Sequence, residues 1–114
     1  MTDVRIGIMS FAHMHAFSYA DSLNQLPNAA LAAIWDDNPE RGEEMAKKFK
    51  TPFIASLEEF LASDIAGVII CAENCKHREL VEHAAAAGKW ILCEKPLAPD
   101  VHDAQVMIDV CKKA

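Results

Sequence analysis

Apolar and polar positions along the chain alternate between two rhythms. Three short apolar runs rich in β-branched residues, "VRIGIM" (Val4–Met9), "GVIICA" (67–72) and "WILC" (Trp90–Cys93), have the length of strands. Continuous apolarity over so few residues suits strands covered on both faces. "ALAAIW" (30–35) has weaker strand propensity but similar length and flanks, and residues 52–55 predict a shorter edge strand. Helical patterns with recognisable ends lie between these runs. Asn38 is placed to cap a helix that begins at Pro39 and carries Met45, Ala46 and Phe49 on one face. Ser56 and Glu59 have capping-box spacing ahead of Leu57, Phe60 and Leu61. Leu80, Ala84 and Ala87 repeat at helical spacing, and Gly88 stands where a left-handed stop is needed. Asp100 is placed to cap a last helix whose stripe is Ala104, Met107, Ile108 and Cys111.

Strand and helix thus alternate along the whole chain with connections of a few residues. That order forces right-handed crossovers and a parallel sheet with helices on both faces. The expectation is an α/β fold of three layers, a Rossmann-type doubly wound sheet formed by residues 1–114 as one unit. A six-stranded version needs one more strand than the pattern supplies.

Composition narrows the partners. Of the 114 residues 52% are apolar and 25% charged, which supports a packed core rather than a disordered tract. Seventeen acidic and eleven basic side chains leave a net charge of -6, with no basic cluster to neutralise nucleic-acid phosphates. No window reaches the length of a membrane-spanning apolar segment, and the amino terminus does not read as a signal peptide, so a cytoplasmic protein is expected. Cys71, Cys75, Cys93 and Cys111 are then expected to be reduced thiols.

In a doubly wound sheet, ligands bind beyond the carboxyl ends of the strands, where the strand order switches. The positions after Met9 that a G-x-G-x-x-G turn would fill are Ser10, Phe11, Ala12, His13, Met14 and His15, without a glycine. Ser10 and Ala12 are small replacements, and the helix start still presents amides and a favourable dipole to an anion, so phosphate binding is reshaped rather than lost. His13 and His15 either add donors there or fill surface around the helix start. A metal site drawn from His13, His15, Cys71, Cys75 and His77 matches no common zinc spacing, and none is expected. Asp36, 21 residues beyond His15, has the separation of a ribose-binding carboxylate, with Asp37 beside it. A carboxylate there repels a 2'-phosphate and favours NAD over NADP, an effect that Arg41 softens. Cys71, Ala72, Asn74 and His77 follow the fourth predicted strand. Glu94, Lys95 and Pro96 follow the fifth, where a lysine would reach a substrate hydroxyl.

These residues resemble the glucose-fructose oxidoreductase / inositol dehydrogenase / MocA family of NAD(P)-dependent oxidoreductases over nearly the whole chain. "WDDNPERGEEMAKKF", "SLEEFLAS" and above all "GVIICAENCKHRELVEHAAAAGKWILCEKPLA" carry the resemblance. Members commonly show Pro-Asn-x-x-His after strand four and Ala-Gly-Lys-x-Val-x-x-Glu-Lys-Pro-Leu-Ala through strand five. Two departures stand out: the glycine-free turn, and Glu73 where proline is usual. By their places at the strand ends, Ser10, Phe11, Ala12, His13, Asp36, Asp37, Cys71, Ala72, Asn74, His77, Glu94 and Lys95 are the expected cofactor-binding residues. The resemblance implies that Asp36 is the ribose-binding acid, that Asn74 and His77 line the nicotinamide side, and that Lys95 is catalytic through proton transfer. It further implies a second domain, absent from these 114 residues, that supplies the substrate pocket and the homo-oligomer interface. Two functions follow as expectations. One is the dinucleotide-binding domain of an enzyme moving hydride between nicotinamide and a sugar, cyclitol or related polyol, inactive alone. The other is a binding or interaction module that kept the scaffold without productive cofactor binding.

Overall fold

The computed structural model describes residues 4–94 and 100–113, apart from the side chain of Asn74. Four parallel strands, β1 (Val4–Met9), β2 (Ala29–Trp35), β3 (Gly67–Ile70) and β4 (Trp90–Cys93), pair in the order β2-β1-β3-β4. Five helices link or follow them: α1 (His15–Gln25), α2 (Pro39–Phe49), α3 (Leu57–Ala62), α4 (His77–Ala86) and α5 (Val101–Lys113). Chain order runs outward from β1 to β2 and then returns to β3 on the other side, so the switch lies between β1 and β3. The edge strand expected at 52–55 shrinks to one bridge, Phe53 to Ile34, in parallel sense on the outer side of β2. With that bridge counted, the sheet has the layout of five strands of a doubly wound fold.

Period-two alternation divides the strand residues between two cores. Ile8, Ile34 and Ile69 face α1 and α2, among Ala16, Ala20, Leu23, Met45 and Phe49. Met9, Ala33, Val68 and Ile70 face the other side, with Phe60, Leu80, Val81, Ala84 and Met107. The helix ends read from sequence are in place. Asn38 Oδ1 accepts from the Arg41 amide (3.2 Å), Ser56 Oγ from Glu59 (3.2 Å) and Asp100 Oδ1 from Asp103 (2.8 Å). Gly88 has the left-handed φ of 73°.

Two expectations are corrected. β4 is covered on one face only: Ile91 and Cys93 pack against the core beside α4 and α5, whereas Trp90 is 84% exposed and Leu92 50%. The cluster buried under α1 and α2 draws on β1, β2 and β3 and includes no residue of β4. The stripe on α5 is likewise half used, with Met107 buried and Ile108 and Cys111 largely in solvent. Among the described residues, no helix is long and apolar enough to cross a membrane.

Candidate functional site

The crevice above the switch begins with Ser10. Its φ of 78° is a backbone conformation that favours glycine, so the turn keeps the shape of a glycine turn while carrying a hydroxyl. The Ser10 amide continues the ladder to the Trp35 carbonyl (2.7 Å), and Ser10 Oγ accepts from the Ala12 amide (3.1 Å). The His13 amide donates to the Cys71 carbonyl (2.8 Å), tying the turn to the end of β3, and the His15 amide donates to His13 Nδ1 (3.1 Å). The turn amides of Ala12 and His15 are thus held by short side-chain acceptors that an anion can displace.

Asp36 is 2% exposed, and both its carboxylate oxygens are engaged. Oδ2 accepts from the Phe11 amide (2.9 Å) and Arg41 Nε (2.8 Å); Oδ1 accepts from the Asn38 amide (3.0 Å) and Arg41 Nη2 (2.7 Å). Asp36 thus ties the turn after β1, through the Phe11 amide, to the start of α2, through Asn38 and the bidentate Arg41. The negative neighbours hold the Arg41 guanidinium above its ordinary pKa, Asp36 contributing most by hydrogen bonding. Asp37, exposed, meets Arg41 (3.3 Å) and Lys76, and its carboxyl is held below the usual range, chiefly by the hydrogen bond from Lys76. Lys76 also reaches Glu73 (3.1 Å).

Beyond β3, Cys71 and Ala72 are buried, and the Ala72 carbonyl accepts from the buried His77 ring at Nε2 (2.9 Å). Asn74 lies in a short 3-10 turn, Asn74–Lys76, and its side chain is outside the described set. Beyond β4, the Glu94 amide donates to the Ile70 carbonyl (2.9 Å) and its buried carboxylate accepts from Tyr19 Oη (2.7 Å). His15 Nδ1 lies 3.2 Å from the other Glu94 oxygen. Hydrogen bonding to Glu94, more than burial, pushes the Tyr19 phenol up to about 12. Lys95, the expected proton-transfer residue, and Pro96 lie outside the described residues.

The structure therefore gathers Ser10, Phe11, Ala12, His13, Asp36, Cys71, Ala72, His77 and Glu94 around the carboxyl ends of β1, β2, β3 and β4. Tyr19 is the participant that sequence reasoning missed. Its signal was the i, i+4 spacing from His15, which puts both on one face of α1.

The thiols divide by burial. All four cysteines are free, with Cys75 and Cys111 exposed. Burial first, and then the charge of Glu94, push the Cys71 and Cys93 thiols up to about 12. Alkylation of the folded chain at mildly alkaline pH is expected to modify Cys75 and Cys111 and spare Cys71 until the protein unfolds, as read by peptide mass spectrometry. Equal labelling of all four would contradict this burial.

Residues 4–114 match the family described as "Oxidoreductase family, NAD-binding Rossmann fold". The chain is 32% identical over 113 residues to a myo-inositol 2-dehydrogenase of Thermotoga maritima, covering 97% of this chain and 34% of that protein. It is 30% identical over 112 residues to a 2,7-anhydro-N-acetylneuraminate hydratase of Escherichia coli, covering 97% and 29%. A crystal structure of a putative NADPH-dependent oxidoreductase from Desulfitobacterium hafniense superposes with a TM-score of 0.92 at 26% identity, covering 99% of this chain and 33% of that one. The chain thus spans about a third of the length of the relatives it matches. With the strand order, the left-handed turn at Ser10 and the carboxylate closing β2 already in place, this match makes the chain a member of the oxidoreductase family with the NAD-binding Rossmann fold.

Proposed function

We propose that these residues form the dinucleotide-binding domain of an NAD-dependent oxidoreductase acting on a sugar, cyclitol or related polyol. The observation that carries the reading is the linkage of neighbouring strand ends: Ser10 keeps a left-handed turn, and the amide that follows it donates to the acid closing β2. A bound dinucleotide would supply the hydride acceptor or donor. The turn from Ser10 to His15 would take the pyrophosphate, with the Ala12 and His15 amides exchanging their present acceptors, Ser10 Oγ and His13 Nδ1, for phosphate oxygens. Asp36 and Arg41, with Asp37, would border the adenosine ribose. Cys71, Ala72, Asn74, His77 and Glu94 would line the nicotinamide side, and Lys95 would exchange a proton with the substrate hydroxyl. The inositol dehydrogenase relative supports the polyol class. Substrate must be held against this crevice for turnover, so the 114 residues alone are expected to bind without reacting.

Charge favours NAD over NADP. Three carboxylates, Asp36, Asp37 and Glu73, are linked through two cations, Arg41 and Lys76, so this group carries one net negative charge before any phosphate arrives. A 2'-phosphate would add further negative charge to it. NADH fluorescence titrated with the chain is expected to saturate, with NADPH binding at least about tenfold more weakly, which is roughly 1.4 kcal/mol. Glu73→Lys, an exposed reversal, should narrow that gap. Absence of NADH binding at millimolar concentration would overturn the reading in favour of a scaffold module, consistent with turn amides already satisfied within the chain.

A further inference from the structure

We propose that His13, His15 and Glu94 form a binding site for a divalent transition-metal ion, with zinc the best fit. Among the described residues, these are the histidine, cysteine and carboxylate side chains whose ligand atoms all lie within 4.8 Å of one another. His15 Nδ1 and Glu94 Oε1 are 3.2 Å apart. A tetrahedral ion with bonds of about 2.0–2.1 Å separates its ligand atoms by about 3.3 Å, so this pair already stands at the edge length of a coordination tetrahedron. The two imidazoles meet edge to face rather than stacked, with centroids 4.6 Å apart.

The ligands are supported from behind. Tyr19 Oη donates to Glu94 Oε2 (2.7 Å), while Glu94 Oε1 stands beside His15 Nδ1. The His13 and Glu94 amides donate to the Cys71 and Ile70 carbonyls, so the turn after β1 and the residue that follows β4 are both held at the end of β3. Such outer hydrogen bonds orient ligands in built metal sites. Glu94 is 5% exposed, whereas the His15 side chain is about half exposed, so an ion has both a desolvated anchor and a route in.

Binding requires small changes that balance. His13 offers the lone pair of its unprotonated ring nitrogen to the ion; if that is Nδ1, it gives up the hydrogen bond it accepts from the His15 amide. On the neutral His15 ring the proton moves from Nδ1 to Nε2, freeing Nδ1. Two nitrogens and one carboxylate oxygen suit zinc or cobalt better than magnesium or calcium, which prefer all-oxygen shells. Three protein ligands leave the fourth tetrahedral position to water.

The test is calorimetric titration of the chelator-stripped chain with zinc, alongside cobalt absorption spectra. Expected are one saturable equivalent, intense d–d bands of four-coordinate cobalt, and no thiolate-to-cobalt charge transfer. His13→Ala and His15→Ala should each weaken binding at least about tenfold, and Tyr19→Phe, which removes no ligand, should weaken it by about tenfold. Circular dichroism keeps these comparisons to folded variants, and His15 and Tyr19, being incompletely buried, are the replacements with least bearing on the fold. No binding at millimolar zinc, affinity unchanged in both histidine variants, or a thiolate charge-transfer band would overturn the proposal. The readout needs no dinucleotide, so its failure and the failure of the cofactor reading are separate results.

Discussion

Asp36→Ala is expected to destabilise the chain by about 3 kcal/mol and to lower its Tm by roughly 10–20 °C, the largest loss from any polar substitution at the crevice. The loss has three sources. The Phe11 amide loses its acceptor, the Asn38 amide loses the bond that shapes the entry to α2, and Arg41 loses a bidentate partner. A donor left unsatisfied in the interior costs about 1–3 kcal/mol. Arg41, with 30% of its side chain exposed, can turn toward water, which holds the total below the upper range for a broken buried pair. Arg41→Ala should therefore cost less, about 1–2 kcal/mol, because Asp36 keeps two backbone donors. Chemical denaturation of the two variants checks the order. Equal losses would mean that the guanidinium, and not the strand-end amides, dominates the interaction. The same result bears on cofactor work: Asp36 holds the turn together, so weakened NADH binding in Asp36→Ala is not by itself proof of a ribose contact, and the exposed Glu73 is the better probe.

Much of this architecture was legible because its signals are local. Asn38, Ser56, Gly88 and Asp100 announce helix ends through bonds to the next few residues, and each performs that task. The strand-end positions of Ser10, Asp36, Cys71 and Glu94 follow from counting residues between elements. What resists reading is decided by partners far apart in the chain. The Tyr19–Glu94 bond joins residues 75 positions apart, and the closure of Phe11 onto Asp36 spans 25, so neither leaves a spacing motif. "WILC" misleads for a related reason. Its composition is that of a strand buried on both faces, but cover depends on which helices lie above it, and the cluster under α1 and α2 takes in no residue of β4. The histidines of the turn were weighed with Cys71, Cys75 and His77, whereas the fold sets them beside Glu94, and His77 turns its ring onto the Ala72 carbonyl instead. At the turn itself, backbone shape outlasts the loss of glycine: Ser10 holds a positive φ with its own hydroxyl bonded two residues ahead.

Gly7→Val should be at least as damaging as Asp36→Ala, costing about 3 kcal/mol or more. Gly7 lies in β1, with Val68 of β3 on one flank and Ala33 of β2 on the other, one step after a register irregularity at Ile6. By strand alternation it shares the face of Met9, the face on which the fully buried Phe60 lies. A Cβ built there would stand 2.4 Å from Phe60 Cζ, 2.8 Å from Cε2 and 3.1 Å from Ile65 Cδ1. The phenyl ring thus occupies the space where another residue would carry its side chain, which lets α3 settle against the sheet. Interiors packed this densely take up an added methyl only by moving rings or backbone. A double-mutant cycle separates this contact from the general cost of altering a central strand. Gly7→Ala alone should cost about 2 kcal/mol, and pairing it with Phe60→Leu should recover at least about 1 kcal/mol relative to the sum of the single changes. Strict additivity in denaturant titrations would show that the strand tolerates the methyl group by shifting elsewhere, and that the ring does not set the requirement for glycine at this position.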